Sequence, residues 1–594
     1  MKKLLTGNEA IARGAWEAGV RFASAYPGTP STEILENLAA YKEDIRAEWA
    51  TNEKVALEAV IGASYAGARA MASMKHVGLN VAADPLFTNS YTGVNGGLVV
   101  ISADEPGMHS SQNEQDNRNY ARAAKIPMFE PSDSQEAKDM IKEAFRLSEE
   151  YDSPVLFRVT TRLCHSKGIV ECGGREEVEI REYAKDVLKR VPVPAYTGAM
   201  RDRVEERMNR LEEFSNSTPL NRLELNDTGI GIVASGCCYS FAREVFGDNA
   251  SYLKLGFTNP LPKELMKEFA SKVDKIYVIE ENDPIMELEL KALGIECVGR
   301  DVFPYRGEMT PDVIRKSVYG ETKEVIEYDE SLVAGRPPSY CAGCPHRGFM
   351  LELGKRKNTV MSGDIGCYAL GFAEPYNAMD FSLCMGGSLS IGHGAQMVFN
   401  MKKDNKTRVV SFLGDSTFFH TGINSLLDVV YNKGNSINVI LDNRITGMTG
   451  HQENPGTGYT LQGEETVAVE IEPLVKDCGI KYVRVINPND LKEVNEALDW
   501  AYGLEEASVI ITRWPCVLKK FSKEDRVEFK GVFQSSCAVD KEKCIGCKMC
   551  TKVGCPAVSF EKAEKKAYVD PNSCVGCEVC AQVCPVKAIG KVGA

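Results

Sequence analysis

The rhythm of apolar and polar positions changes along the chain, and the changes mark its parts. Up to about residue 175, strand-like apolar runs alternate with helical stretches. VRFASAYPGTP (20–30) reads as a strand ending in a Gly/Pro turn, VALEAVIGASYAGARAMA (55–72) as a closely packing small-residue helix, and GLVVISAD (97–104) as another strand. Residues 180 to about 227 are charge-rich and helical with no repeated strand, as in a connector. A second alternating unit begins at GIGIVASG (229–236) and contains IYVIEEND (276–283), before a looser charged segment around 303–335. A third runs from Pro337 to about Pro515, with RVVSFLGD (408–415) and SINVILDN (436–443) as buried parallel strands separated by a helix. Its strands end in polar residues, where open α/β sheets place ligands. From about 535 onward the chain cannot build an ordinary hydrophobic core and must be held by metal. The expected architecture is multidomain α/β with parallel sheets, divided as 1–178, 179–227, 228–325, 326–530 and a small domain at 535–594.

Composition narrows the class. A chain of 594 residues, 43% hydrophobic and 26% charged, has the scale of a multidomain enzyme. A net charge of −13 repels nucleic acid and acidic membranes at long range, so neither is an expected partner. The opening MKKLLTGNEAIARG lacks a sustained apolar stretch, and no run approaches a membrane span, so the expected location is cytoplasmic. Of 20 cysteines, eight crowd between Cys544 and Cys584, while the first 160 residues have none. Such clustering points to metal in a reducing compartment.

In the tail, CIGCKMCTKVGCP places Cys544, Cys547, Cys550 and Cys555, and CVGCEVCAQVCP places Cys574, Cys577, Cys580 and Cys584. Two such runs form the two-cluster ferredoxin pattern, in which the last cysteine of each run ligates the other cluster. One 4Fe–4S cluster is therefore expected on Cys544, Cys547, Cys550 and Cys584, and a second on Cys574, Cys577, Cys580 and Cys555. The first run has one more residue than usual before its last cysteine, which alters a loop and leaves the ligand count intact. Structural zinc is the alternative; against it, Cys-Pro closes both runs and histidine is absent from the tail. Iron–sulfur chemistry moves single electrons, so the tail must exchange them with a site elsewhere in the chain and with an outside carrier.

Two further stretches carry candidate chemistry. Between Gly414 and Asn443, Asp415 and the Asn443 side chain end neighbouring strands and, with the Ile445 carbonyl, offer oxygen ligands suited to Mg²⁺, which in turn holds a diphosphate. GGSLSIGHG (386–394) brings Gly386, Gly387 and Ser388 where phosphate oxygens need to approach backbone N–H groups. CAGCPHRG (341–348) contains Cys341, Cys344 and His346 and suits zinc, an iron–sulfur cluster or a redox dithiol equally well.

The span GDSTFFHTGINSLLDVVYNKGNSINVILDN resembles the cofactor motif of thiamine diphosphate enzymes, although Ser416 stands where most have glycine and Asp442 where many have a first asparagine. Together with AYPGTPS, MHSSQNEQDNR (108–118), CAGCPHRG, GDIGC (363–367), CMGGS (384–388), LDNRITGMTGHQ and the ferredoxin tail, it makes the chain resemble, over essentially its full length, the alpha subunits of the indolepyruvate branch of the 2-oxoacid:ferredoxin oxidoreductase superfamily. The resemblance implies pyrimidine-binding and diphosphate-binding thiamine domains, with 228–325 similar to a transketolase C-terminal domain. It implies that Glu53 hydrogen-bonds the cofactor's aminopyrimidine and promotes ylid formation; read alone, Glu53 is an acidic residue favoured at a helix start. Thr29 matches a threonine near the substrate carboxylate, and His109 and Gln112 are candidates for contacting the 2-oxoacid, in a run that also holds Ser110, Asn113 and Glu114. Gly414 and Ser416 join the cofactor-binding set, with His346. A third, proximal 4Fe–4S cluster is implied on Cys341, Cys344, Cys367 and Cys516, with Cys384 as a competing fourth ligand. The implied reaction is oxidative decarboxylation of indolepyruvate and other arylpyruvates with coenzyme A, giving the aryl-acetyl-CoA and CO₂ and reducing ferredoxin. A beta subunit is the implied partner in an α₂β₂ assembly. Oxidation of pyruvate or 2-oxoglutarate, or a non-catalytic electron-transfer role, is the alternative.

Overall fold

A computed structural model describes residues 1–322 and 326–592. The chain forms two compact units, Met1–Tyr328 and Asp329–Ala594.

The first unit is built on a seven-stranded sheet. From one edge its order is Phe257–Asn259, Met128–Phe129, Val155–Thr160, Leu98–Asp104, Ala70–Lys75, Phe22–Ala25 and Arg46–Trp49, and only the first strand runs antiparallel to its neighbour. Leu98–Asp104 and Val155–Thr160 are buried at every residue, which explains their near-continuous apolar sequence. The helix expected over 55–72 is shorter. It spans Glu53–Tyr65, and Ala70–Lys75 is a strand. Gly67 causes the break: its φ of +100° ends the helical path, and a Cβ there would lie 1.9 Å from the Arg181 carbonyl oxygen. The small residues beyond it serve the sheet, where Ala70 and Ala72 pack with Leu57 and Val60 of the helix.

A four-stranded sheet follows, in the order Ile276–Ile279, Gly231–Ser235, Ser251–Leu255 and Asn221–Glu224. The charged stretch before it holds the helix Pro194–Ser217, but its end, Asn221–Glu224, is a strand pairing antiparallel with Ser251–Leu255. Four residues at a sheet edge carry no apolar run, so the strand is invisible to periodicity.

The second unit holds a parallel five-stranded sheet, Thr359–Ser362, Arg408–Gly414, Ile437–Asp442, Ser508–Arg513 and Tyr482–Ile486. Its tail contains two antiparallel pairs, Ser536–Val539 with Ile589–Val592 and Val558–Glu561 with Lys566–Val569. The tail does not rely on metal alone for a core: Val553, Val569, Val579 and Ile589 belong to one buried cluster with Phe349, Phe412 and Val439 of the sheet domain. Among the described residues, no helix is long and apolar enough to cross a membrane.

Candidate functional site

In the first unit, candidate residues collect at the carboxyl edge of the seven-stranded sheet. Asn52 caps the helix Glu53–Tyr65 by accepting from the Val55 N–H at 2.9 Å, which leaves Glu53 buried in the first turn. A Cβ on Gly78 would lie 2.7 Å from both Cγ and Oε1 of Glu53, so the glycine of the following helix, His76–Val81, makes room for this carboxylate. Thr29 is half-buried in the turn after Phe22–Ala25; its neighbour Gly28 lies against Lys75, whose Cβ would be 3.1 Å from a Cβ at position 28.

The segment 108–118 divides in two. His109 is exposed and faces Glu308, Nε2 to Oε1 at 3.7 Å, and Gln112 and Asn113 are exposed. Ser110 and Ser111 donate instead to Glu105, which also pairs with Lys75 at 3.3 Å. Glu114 accepts from the backbone N–H groups of Gly107 and Gly307, both at 2.9 Å. Asp116, Asn117 and Arg118 are buried: Arg118 pairs with Asp116 and with Glu280, and the Asn117 N–H donates to Asp104. The polarity of this second half is structural. It ties the segment to the neighbouring four-stranded domain.

In the second unit the end of Arg408–Gly414 carries Asp415 and the end of Ile437–Asp442 carries Asn443. Asp415 is buried, and its carboxyl is pushed up to about 7 by burial first and by Asp442 second, partly offset by the Asn454 amide donating to Oδ2 at 3.2 Å. A buried carboxylate so poorly compensated fits a cation. Asn443 lies 3.5 Å from Nε2 of His346, and its Oδ1 accepts from the Ile445 N–H at 3.2 Å. Burial pushes the His346 imidazole down to about 4, so it is neutral near pH 7. Ser416 accepts from Thr446 at 2.9 Å, and a Cβ on Gly414 would meet the Tyr368 ring at 2.9 Å. The N–H groups of Gly386 and Ser388 are engaged by Asp364, at 2.8 and 3.0 Å, and that of Gly387 donates to the Cys384 carbonyl. Gly386, at φ +83°, also leaves space for Thr421, whose Oγ1 would lie 1.6 Å from a Cβ. Asp364 itself was not legible beforehand, since GDIGC drew attention to its cysteine alone.

Cys516 adjoins this edge, its N–H donating to the Asn443 carbonyl at 3.0 Å. Burial and then the charges of Cys516 and Cys341 push the Cys367 thiol up to about 11; Cys344 is raised by burial and by Cys367 and Cys341. Cys516 is raised by burial, Cys341 and Asp415. Cys341, Cys344, Cys367 and Cys516 thus lie within electrostatic reach of one another, and Cys516 within that of Asp415. Cys384 is raised by burial and Asp364, and its Sγ lies 3.0 Å from where a Cβ on Gly387 would stand.

In the tail, one cavity is lined by Cys544, Cys547, Cys550 and Cys584. A second is lined by Cys555, Cys574, Cys577 and Cys580 together with Cys537. In both, three cysteines of one run meet the last of the other. Backbone N–H groups donate to sulfur, Ala588 to Cys584 and Cys537 to Cys574, each at 3.2 Å. Cys537 was missed by spacing because it stands alone, ahead of the runs. Among the described residues, no three His, Cys, Asp or Glu side chains are grouped to hold a single metal ion; the cysteines surround larger spaces.

Comparison with known proteins adds three family matches. Residues 13–209 match the family described as pyruvate flavodoxin/ferredoxin oxidoreductase, thiamine diP-binding. Residues 364–512 match the thiamine pyrophosphate enzyme C-terminal TPP-binding domain, and residues 543–588 the 4Fe-4S dicluster domain. The chain is 40% identical over 633 residues to indolepyruvate oxidoreductase subunit IorA of Pyrococcus horikoshii, covering 100% of this chain and 97% of the relative. It is 40% identical over 621 residues to the same subunit of Archaeoglobus fulgidus, covering 99% and 97%. The 2-oxoglutarate synthase subunit KorA of Archaeoglobus fulgidus is 26% identical over 347 residues, 54% of this chain and 99% of the relative.

Proposed function

From the chain's membership of the indolepyruvate oxidoreductase IorA family, we propose that it is the alpha subunit of an enzyme that oxidatively decarboxylates indolepyruvate and other arylpyruvates. In the balanced reaction, an arylpyruvate anion and coenzyme A become an aryl-acetyl-CoA, CO₂ and one proton, and the two electrons released reduce two ferredoxins. Bound thiamine diphosphate supplies the carbon nucleophile for decarboxylation, and iron–sulfur clusters accept the electrons singly.

The residues of this chain prepare that chemistry. Asp415, Asn443 and the Ile445 carbonyl would hold Mg²⁺, next to a His346 that burial keeps neutral near pH 7 and that would add no competing positive charge. Glu53 serves the aminopyrimidine of the cofactor, a task for which its buried place in the first helical turn suits it. Thr29, His109 and Gln112 are assigned to the 2-oxoacid. Cys341, Cys344, Cys367 and Cys516 take a proximal 4Fe–4S cluster, and the two tail sets take one each. The observation that carries the reading is contiguity: the Asn443 carbonyl binds the N–H of Cys516, so the proposed metal site and the proximal cysteines share one sheet edge. A decarboxylase without oxidation has no use for that adjacency.

A beta subunit completes the enzyme as α₂β₂, ferredoxin is the electron acceptor, and the location is cytoplasmic. The test uses the complete two-subunit enzyme under anaerobic conditions, measuring ferredoxin reduction and acyl-CoA formation with indolepyruvate, phenylpyruvate, pyruvate and 2-oxoglutarate. kcat/KM is the quantity to compare, because specificity is discrimination between transition states. The arylpyruvates are expected to lead; a clear preference for pyruvate or 2-oxoglutarate overturns the substrate assignment.

A further inference from the structure

Arg347, within CAGCPHRG, is used by neither metal ligation nor cofactor contact as described above. It lies in the first turn of the helix His346–Leu353 and is 1% exposed. Nη1 donates to the Tyr376 hydroxyl and to the carbonyls of Val553 and Gly554, and Nη2 to the carbonyls of Tyr340 at 2.9 Å and Cys341 at 2.7 Å. Every one of these acceptors is neutral. Among the described residues no carboxylate pairs with Arg347, and its buried Nε has no hydrogen-bond partner.

A guanidinium cannot give up its proton in a protein. Burying it without a counter-charge costs several kcal/mol. The compensating negative charge is therefore to be sought next to the side chain, and two cysteine sets are there. Arg347 lines the cavity shared by Cys555, Cys574, Cys577 and Cys580, and it holds the carbonyls of Val553 and Gly554 just ahead of Cys555. On its other side it holds the Cys341 carbonyl. The backbone between the sets is thin: Gly343, between Cys341 and Cys344, packs so closely on Val575 that a Cβ would lie 2.1 Å from its Cγ2.

A 4Fe–4S cluster on four thiolates is an anion whose charge grows by one on reduction, and its potential responds to nearby charge. We propose that Arg347 is a counter-cation shared by two clusters, the proximal one on Cys341, Cys344, Cys367 and Cys516 and the inner tail one on Cys555, Cys574, Cys577 and Cys580, and that it raises the reduction potential of both. It acts as a positioning residue, favouring the arriving electron at each cluster in turn. The inference rests on the three-cluster reading above.

The test is an anaerobic redox titration of the complete two-subunit enzyme, followed by electron paramagnetic resonance with iron counted in parallel, on wild type, Arg347→Gln and Arg347→Lys. With all clusters retained, Arg347→Gln should lower the potentials of the proximal and inner tail clusters and leave that of the outer cluster, on Cys544, Cys547, Cys550 and Cys584, in place; Arg347→Lys, which keeps the charge, should hold all three near wild type. Unchanged potentials in Arg347→Gln overturn the proposal, as do equally lowered potentials in both variants, which would assign the effect to hydrogen bonding. If Arg347→Gln fails to assemble, Arg347→Lys decides: retained clusters and potentials support the shared charge, and loss of the same two clusters in both variants overturns it in favour of a purely mechanical bridge. A wild type with about eight iron atoms per chain instead of about twelve would instead refute the proximal cluster, and Arg347→Gln would then still be expected to shift the inner tail cluster.

Discussion

At the scale of single residues, two carboxylates carry the most testable chemistry. Asp415→Ala removes the anionic ligand at the strand end and should abolish Mg²⁺-dependent thiamine diphosphate binding while the tail clusters remain; Asn443→Ala removes a neutral ligand and should weaken binding less. Binding calorimetry with iron analysis checks both, and unchanged cofactor affinity in Asp415→Ala would refute the metal role. The sign of the pH effect follows from the carboxyl being pushed up to about 7. Below that value the metal-free group holds a proton that Mg²⁺ must displace, so apparent affinity should fall roughly tenfold per pH unit on the acid side and level off above it. A flat titration between about pH 6 and about pH 8 would remove Asp415 from the site. Glu53 is tested indirectly through Gly78. A Cβ there would sit 2.7 Å from the carboxylate, so Gly78→Ala should displace it and lower kcat about a hundredfold with iron content unchanged. An unaltered kcat would show that the position of Glu53 does not matter.

At the scale of elements, the loop 341–344 illustrates how a turn couples two parts of a domain. Gly343 has φ +75° and lies against Val575, so Gly343→Ala faces a left-handed penalty of about 1–2 kcal/mol in addition to the steric clash. The expected result is a lower Tm and loss of iron from the inner tail cluster, with the outer cluster kept; melting curves and iron counts read this directly. Unchanged Tm and iron would mean that the loop and the tail do not need their close packing. The strand ends fall where the sequences suggest, Arg408–Gly414 stopping just before Asp415 and Ile437–Asp442 just before Asn443. The helix end in VALEAVIGASYAGARAMA does not, since alanine-rich sequence serves helix and buried strand alike and Gly67 alone separates them.

At the scale of the whole molecule, the reading requires three clusters in one chain. Anaerobically reconstituted enzyme should hold about twelve iron atoms per alpha chain, and Cys367→Ala should lose about four while keeping both tail clusters. Retention of all the iron in Cys367→Ala would exclude this cysteine as a ligand. The tail's shared apolar core with the sheet domain, through Val553, Val579 and Phe349, means that removing the clusters should loosen the tail without unfolding the sheet domain that it packs against.

What the sequence determined by itself is what proximity along the chain encodes. Cysteines spaced to wrap one cluster, a carboxylate and an amide ending neighbouring strands, and the succession of alternating segments all depend on contacts within a few residues or one strand–helix–strand repeat. Tertiary structure decided what depends on partners with no identifying side chain. Arg347 meets backbone carbonyls 206 and 207 residues away, and any residue supplies a carbonyl, so no motif announces the contact. Asp364 likewise engages backbone N–H groups of Gly386 and Ser388, which any residue supplies, so no spacing announces that contact either.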